Sequence, residues 1–276
     1  MKKFSVVLVA VSMAMALSAC AKSADENVTA SSDVVATQES SSEASSSDVT
    51  STEASSEADV KSEGVMTYEE YVAAALDTEV VVETYVQAKQ SWWEDKATIY
   101  TQDQDGAYFI YEMACSQEDY EKLTVGTKIK VTGYKAEWAG EVEIIDATFE
   151  ILEGNYVAEA EDVTAMLANE DLVNKQNKFV AFKGMTVEAS KDANGNEVAF
   201  LYNWDGSGED GNDLYFNASV DGTTYTFTVE SYLCDNTTDV YAAVKELKIG
   251  DTIDMEGFLY WYNGVNPHIT SVSVVK

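Results

Sequence analysis

The feature that most constrains this chain is a pattern of leucine and glycine that occurs twice. The pattern comprises Leu123, Gly126, Gly133 and Gly140, and it recurs 124 residues later as Leu247, Gly250, Gly257 and Gly264. Four matched positions in one register indicate an internal repeat, so the chain is expected to contain two copies of one structural unit.

The first copy predicts five strands with a short helix between the third and the fourth. Runs rich in Val, Ile, Tyr and Thr, bounded by turn residues, place the strands at 79–89, 97–102, 107–113, 127–135 and 141–152 and the helix at 116–123. Asp105-Gly106 is a hairpin signal between the second and third strands. Thr67 and Glu70 form a capping box, which predicts a further helix in front of the first strand, up to about Leu76.

The second copy repeats this order of elements. Its strands are predicted at 179–188, 214–220, 224–232, 252–261 and 265–275, its helix at 238–247, and a linker helix near 162–168. It also carries a longer excursion after its first strand, with a hairpin signal at Asn194-Gly195 and an acidic loop from Asp205 to Asp213.

Five strands with a helix between the third and fourth resemble the OB-fold, a small, partly open Greek-key barrel. The resemblance covers residues 67–276 as two tandem copies and rests on the order of the elements and the repeated glycines. It implies a mainly β protein with two OB-like barrels. A pair of β-sandwiches is the alternative, and the interposed helix counts against it.

The N-terminus has the pattern of an export signal. Lys2 and Lys3 precede an apolar run from Phe4 to Ala16, and the segment ends in Leu17-Ser18-Ala19-Cys20. The last four residues resemble the lipobox of bacterial lipoproteins, which implies cleavage before Cys20 and attachment of lipid, such as palmitate, to its sulfur. The alternative is an ordinary signal peptide with an incidental cysteine.

Composition divides the rest of the chain into a linker and two domains. Residues 20–66 are rich in Ser, Ala, Glu and Asp and hold no aromatic residue, which predicts a disordered stalk. The expected organisation is therefore a signal peptide at 1–19, a lipid-anchored linker at 20–66, and OB-like domains at 67–154 and 155–276. This organisation places the folded part outside the cytoplasm, tethered to the cell membrane only by its N-terminal lipid.

The charge balance bears on the partners. The chain has a formal charge of −32, with 19 acids against 6 lysines in 67–154 and 20 acids against 7 lysines in 155–276. Because phosphate backbones are bound by clustered Lys and Arg, this balance predicts that nucleic acid is not a partner. Cys115 and Cys234 occupy corresponding places before each helix, and we expect them to be buried free thiols.

Aromatic residues cluster where OB barrels bind ligands, namely the face of the second and third strands and the loops that frame it. The candidate ligand-binding residues are Trp92, Trp93, Tyr108 and Trp138 in the first copy and Trp204, Tyr260, Trp261 and Tyr262 in the second. Aromatic rings stack on sugar rings, peptide aromatics or bases. The alternative is that these rings serve packing within or between the barrels.

The acidic loop of the second copy invites a calcium hypothesis. Its oxygen-bearing candidates are Asn203, Asp205, Ser207, Glu209 and Asp213. The spacing resembles the first half of an EF-hand loop, but Leu214 stands where a bidentate Glu is required. A looser loop site remains a hypothesis, and no other cofactor is expected.

No sequence motif for catalysis is present, and His268 is the chain's single histidine. We therefore expect a non-catalytic binding protein at the cell surface that recognises an oligosaccharide, a peptide or a protein through its aromatic residues. The alternative is a structural or assembly lipoprotein whose aromatics form a protein interface or the contact between the two barrels.

Overall fold

The computed structural model describes residues 61–276, and the predicted signal peptide, Cys20 and most of the predicted linker lie outside this range. The elements of the first domain, barrel 1, are α1 (Tyr68–Ala73), β1 (Glu79–Lys89), β2 (Lys96–Gln102), β3 (Ala107–Ala114), α2 (Gln117–Lys122), β4 (Thr127–Trp138) and β5 (Glu141–Asn155). These bounds match the predicted strands and helices to within about three residues.

Barrel 1 is a closed ring with the strand order β1-β2-β3-β5-β4. All neighbours are antiparallel except β3 and β5, which run parallel with Phe109 opposite Glu143. Inward-facing residues of alternate positions fill the ring, as the two-residue period of a strand requires. The largest of them are Tyr108, Ile99, Ile110, Met113, Ile129 and Ile144, and Leu123, at the end of α2, packs with them.

The short helix α1 covers one end of barrel 1. Its capping box is present: Glu70 N donates to Thr67 Oγ1 at 3.2 Å, and Thr67 N donates to the Glu70 carboxylate at 2.8 Å. Tyr71 is buried, and its ring lies 4.9 Å from the ring of Tyr108. The buried ammonium of Lys135 donates to three carbonyls at the C-terminal end of the helix, so both ends of α1 are satisfied.

The second domain, barrel 2, contains β6 (Glu161–Asp162), two 3₁₀ helices (Thr164–Met166 and Glu170–Lys175), β7 (Phe179–Glu188), β8 (Ser190–Lys191), β9 (Glu197–Val198), β10 (Phe200–Tyr202), β11 (Leu214–Val220), β12 (Thr223–Val229), α3 (Asp239–Lys245), β13 (Thr252–Phe258) and β14 (His268–Val274). Pairing of β7 with β11 closes a second ring with the order β7-β11-β12-β14-β13. This order is that of barrel 1, and its parallel pair, β12 with β14, is again the third strand with the fifth. The prediction of two tandem five-stranded barrels is confirmed.

Some local predictions differ from the structure. The linker helix near 162–168 is a pair of short 3₁₀ helices. Three strands of barrel 2 are three residues shorter at one end than predicted: β12 ends at Val229, β13 ends at Phe258 and β14 begins at His268. Residues 61–66 are ordered rather than part of a stalk, since the Lys61 ammonium lies 2.5 Å from the Asp103 carboxylate and Met66 N donates to Val81 O.

Both barrels belong to one compact unit. Cys115 and Cys234 are buried and free, as expected. Among residues 61–276, no helix is long and apolar enough to cross a membrane.

Candidate ligand cleft and the seam between the barrels

The two barrels meet along a contact that we call the seam, which covers part of the outer face of β2 and β3. Tyr100 and Phe109 point outward from these strands, and the ring of Phe258 of barrel 2 stacks on Tyr100 with centroids 4.4 Å apart. Tyr260 packs edge-on against Phe109 at 5.4 Å. Barrel 2 therefore covers part of the surface on which an OB barrel is expected to bind its ligand.

The repeated turns of the two copies contact each other in the seam. The backbone N–H of Asn263 donates to Ala139 O at 2.6 Å, and the rings of Trp138 and Tyr262 lie 5.1 Å apart. A Cβ on Gly140 would lie 3.0 Å from the Trp261 indole, so the glycine permits this close approach. Tyr260 stacks on His268 with centroids 4.3 Å apart. These contacts place Trp138, Tyr260, Trp261 and Tyr262 at the seam, where Trp138 stays 56% exposed and Tyr262 48% exposed.

A buried carboxyl group completes the seam. Glu141 is fully buried, and one of its oxygens accepts from Trp261 N at 2.8 Å. Burial raises the pKa of this carboxyl to about 8, while the N–H of Trp261 and the amide of Asn177 oppose the rise. Glu141 is therefore largely neutral at neutral pH, which lowers the cost of placing it between the barrels.

Tyr108 is not a ligand contact. It alternates with Ile110 on the inward side of β3, and both are fully buried in barrel 1. Its hydroxyl lies 3.4 Å from the Asp103 carboxylate, and its ring packs against those of Tyr68 and Tyr71. The prediction that places Tyr108 at the binding face is wrong, because the pleat of the strand turns it into the core.

The loop between β1 and β2 separates its two tryptophans. Trp92 is half-buried and its indole N–H donates to Cys115 O at 2.9 Å, so it anchors the loop. Glu94 and Asp95, both at positive φ, form a tight two-residue turn, and Trp93 pairs with Lys96 on either side of it. This turn leaves the Trp93 side chain 68% exposed.

Trp93 lines a cleft between the barrels with a volume of about 440 Å³. The cleft-lining residues are Gln90, Ser91, Trp93, Lys96, Thr98, Tyr111 and Glu112 of barrel 1 and Glu230 and Tyr232 of barrel 2. The barrels are joined at its floor, where Ser91 N donates to Tyr232 O at 2.7 Å and Gln90 Nε2 donates to Glu230 at 3.2 Å. The cleft thus uses a part of the β2–β3 face that the seam leaves open.

Three exposed aromatic rings surround the cleft, on Trp93, Tyr111 and Tyr232. Each comes from a different element: the β1–β2 loop, the strand β3 and the turn after β12. Tyr111 is 42% exposed and Tyr232 is 67% exposed. Rings held by a rigid scaffold and open to solvent can stack on a ligand without first losing internal packing.

The carboxyl groups of the cleft differ in environment. Glu112 pairs with Lys96 at 2.5 Å, and this hydrogen bond lowers the pKa of Glu112. Glu230 is half-buried, and burial followed by the nearby Asp213 raises its pKa to about 7. One carboxyl is therefore a charged acceptor, and the other exchanges its proton near neutral pH.

Four of these cleft residues lacked any sequence signal for binding. Glu230 and Tyr232 follow a run in which Thr alternates with larger residues, so the sequence predicts that the strand continues through them. Lys96 and Glu112 are two of many charged residues in this acidic chain. Tyr111 could have been found, because the alternation that buries Tyr108 also turns Tyr111 outward.

The predicted calcium ligands are not brought together. Asp205 accepts from Ser207 N within its own turn, whereas Asp213 points away and accepts from both the N–H and the hydroxyl of Ser231. Among residues 61–276, no three His, Cys, Asp or Glu side chains are placed to hold a metal ion. Trp204, in the same loop, is 76% exposed and does not line the cleft.

Neither a protein-family model nor a curated protein matches this chain. Solved structures that are similar to it include the tetrameric p202 HIN2 (10% identity, 72% of this chain, 95% of that chain, TM-score 0.31) and a murine DNA-binding protein bound to double-stranded DNA (12%, 71%, 95%, 0.31). A third is a replication protein A heterotrimer bound to single-stranded DNA (11%, 76%, TM-score 0.30), of which this chain covers 51%.

These comparisons correct the expected partner set. The prediction excluded nucleic acid, and it is contradicted because these structural neighbours include domains bound to double-stranded and single-stranded DNA. We withdraw the exclusion. At TM-scores near 0.3 the likenesses carry no argument about the ligand of this chain, and the barrel assignment rests on the strand order described above.

Proposed function

We propose that this protein is a non-catalytic binding protein whose cleft between two OB-like barrels recognises an oligosaccharide. The observation that carries the proposal is the convergence of three exposed rings on one cleft, those of Trp93, Tyr111 and Tyr232. Sugar rings present apolar C–H faces that pack on aromatic rings, and their hydroxyls need acceptors at the rim.

The polar groups of the cleft suit hydroxyl-bearing ligands. Glu112 and Glu230 supply carboxyl oxygens, and Gln90 adds a side-chain amide. The volume of about 440 Å³ lies within the range of small-molecule sites.

Titration calorimetry with neutral and amino-sugar oligosaccharides tests the proposal, and single- and double-stranded oligonucleotides are included as probes. Trp93→Ala should weaken oligosaccharide binding at least tenfold. Trp204→Ala removes an equally exposed indole outside the cleft and should leave the affinity unchanged. Binding of oligonucleotides alone, with the same dependence on Trp93, would assign the cleft to nucleic acid and overturn the proposal.

A second candidate is a structural role, in which the aromatic residues serve mainly to join the barrels. The seam contacts of Trp138, Trp261 and Tyr262 favour it. This role requires that no oligosaccharide binds and that Trp93→Ala is silent, so the same titration separates the two candidates.

We further propose that the protein is exported and lipid-anchored at Cys20, as the lipobox resemblance implies. In mass spectra of the protein from cells, the N-terminal peptide should begin at Cys20 and carry lipid, and Cys20→Ser should remove the lipid. Cys115→Ser replaces a buried thiol and should leave the lipidated peptide unchanged. A wild-type N-terminal peptide that carries no lipid would contradict the anchor.

A further inference from the structure

The cleft contains a carboxyl group that has no basic partner. One oxygen of Glu230 accepts from Gln90 Nε2 at 3.2 Å and the other from Tyr232 N at 3.3 Å, and both donors are neutral. Within residues 61–276, none of the lysine ion pairs involves Glu230 or its neighbour Asp213.

The groups around Glu230 supply no positive charge. Asp213, just before β11, is acidic and raises the pKa of Glu230. The other titratable groups that interact with Glu230 all have raised pKa values and are neutral at pH 7; they are Tyr215 on β11, Cys234 in the turn after β12, Tyr100 on β2 and Tyr260 after β13. Among the described residues that line the cleft, Lys96 is the one cation, and it is held by Glu112.

The aromatic rim favours a cation for an independent reason. The faces of Trp and Tyr rings carry negative electrostatic potential and attract ammonium groups, most strongly where water is partly excluded. Trp93, Tyr111 and Tyr232 surround the same cleft that Glu230 lines. A positively charged group in the cleft would contact these rings and an uncompensated carboxyl at once.

We propose that the cleft selects an oligosaccharide that carries a protonated amine, with the ammonium group seated beside Glu230. This inference rests on the proposed function and names the ligand class of the same site. Ionised Glu230 would pair directly with the ammonium, and the proton it loses would pass to the solvent.

A matched pair of probes tests the selection without any variant. The glucosamine trimer and the N-acetylglucosamine trimer share ring and linkage; the nitrogen of the first is an ammonium when protonated, and that of the second is a neutral amide bearing an acetyl group. At pH 6, the intact chain in detergent should bind the glucosamine trimer at least tenfold more tightly. Equal or tighter binding of the acetylated trimer would overturn the inference and leave the proposed function standing, whereas failure of every oligosaccharide would overturn both.

Glu230→Gln tests the position of the ammonium. It should reduce the preference for the glucosamine trimer to less than threefold, and Glu246→Gln, which removes the same charge from an exposed position on barrel 2, should preserve it. At pH 6, below the pKa of about 7, Glu230 is mostly protonated, so its ionisation on binding should release protons, offset in part by those that the sugar amines take up. Calorimetry in buffers of different ionisation enthalpy measures this release, and its persistence in Glu230→Gln would contradict the assignment.

Discussion

The hydroxyl of Tyr100 and Nδ1 of His268 lie 2.8 Å apart in the seam, where both side chains are buried. Tyr100 belongs to β2 of barrel 1 and His268 begins β14 of barrel 2. The chain's single histidine therefore forms a contact between the two barrels. Burial lowers the pKa of His268 to about 3, so the imidazole is neutral and offers one ring nitrogen as an acceptor.

Tyr100→Phe should destabilise the protein by about 1–3 kcal/mol. The substitution keeps the ring stacked on Phe258 but leaves a buried imidazole nitrogen without its partner. Tyr232→Phe removes a hydroxyl from an exposed ring and should change the free energy of unfolding by less than about 0.5 kcal/mol. Urea unfolding of the two variants measures the difference, and equal stabilities would refute a structural role for the bond.

Glu141→Gln should change the pH dependence of stability. The folded pKa of Glu141, about 8, lies above its ordinary value of 4.5, so its contribution is fully present below pH 4.5 and is lost as pH rises to 8. This loss is on the order of 5 kcal/mol at about 1.4 kcal/mol per pKa unit. A neutral amide does not ionise, so the variant should melt at a higher temperature than the wild type at pH 9 but not at pH 5.

Calorimetric melting across this pH range checks the prediction. Glu246→Gln, on the exposed surface, controls for the removal of one negative charge from an acidic chain. A Glu141→Gln profile parallel to that of the wild type would show that Glu141 does not titrate in this window.

Gly140→Ala should lower the free energy of unfolding by more than the matched substitution Gly250→Ala. Gly140 has φ +92°, and an added Cβ would lie 3.0 Å from the Trp261 indole. Gly250 has nearly the same φ, +91°, with no atom within 4 Å of an added Cβ, so Gly250→Ala isolates the backbone cost of about 1 kcal/mol. We expect Gly140→Ala to cost about 1 kcal/mol more in urea unfolding. An equal loss of stability in the two variants would mean that Gly140 does not pack closely against Trp261.

Lys61→Ala should destabilise barrel 1 by about 3 kcal/mol. Lys61 and Asp103 form an ion pair at 2.5 Å in which the Asp103 side chain is 1% exposed, so the substitution leaves a buried carboxylate without its cation. Lys122→Ala breaks exposed pairs with Glu118 and Asp119 and should cost less than about 1 kcal/mol. Urea unfolding of both variants tests whether the ordered barrel begins before residue 66.

The barrels could be predicted because their signals are local. The Val-rich run of β1, the Phe- and Val-bearing run of β7, the glycine turns and the cap of Ser116 on α2 each depend on a few neighbouring residues. The seam could not be predicted, because alternation shows that Tyr100 and Phe109 point outward but not that another barrel covers them. The cleft forms only where the two barrels meet. The sequence around its barrel 2 residues, Glu230 and Tyr232, therefore gave no indication that they line a binding site.

The most direct test of the cleft is the set of indole N–H resonances in a ¹H–¹⁵N spectrum, since the chain has five tryptophans that can be assigned by substitution. On titration with the glucosamine trimer, we predict that the indole signal of Trp93 shifts and saturates while that of Trp204 stays fixed. A saturating shift at Trp204 with Trp93 unchanged, or no shift at any indole, would contradict a ligand site between the barrels.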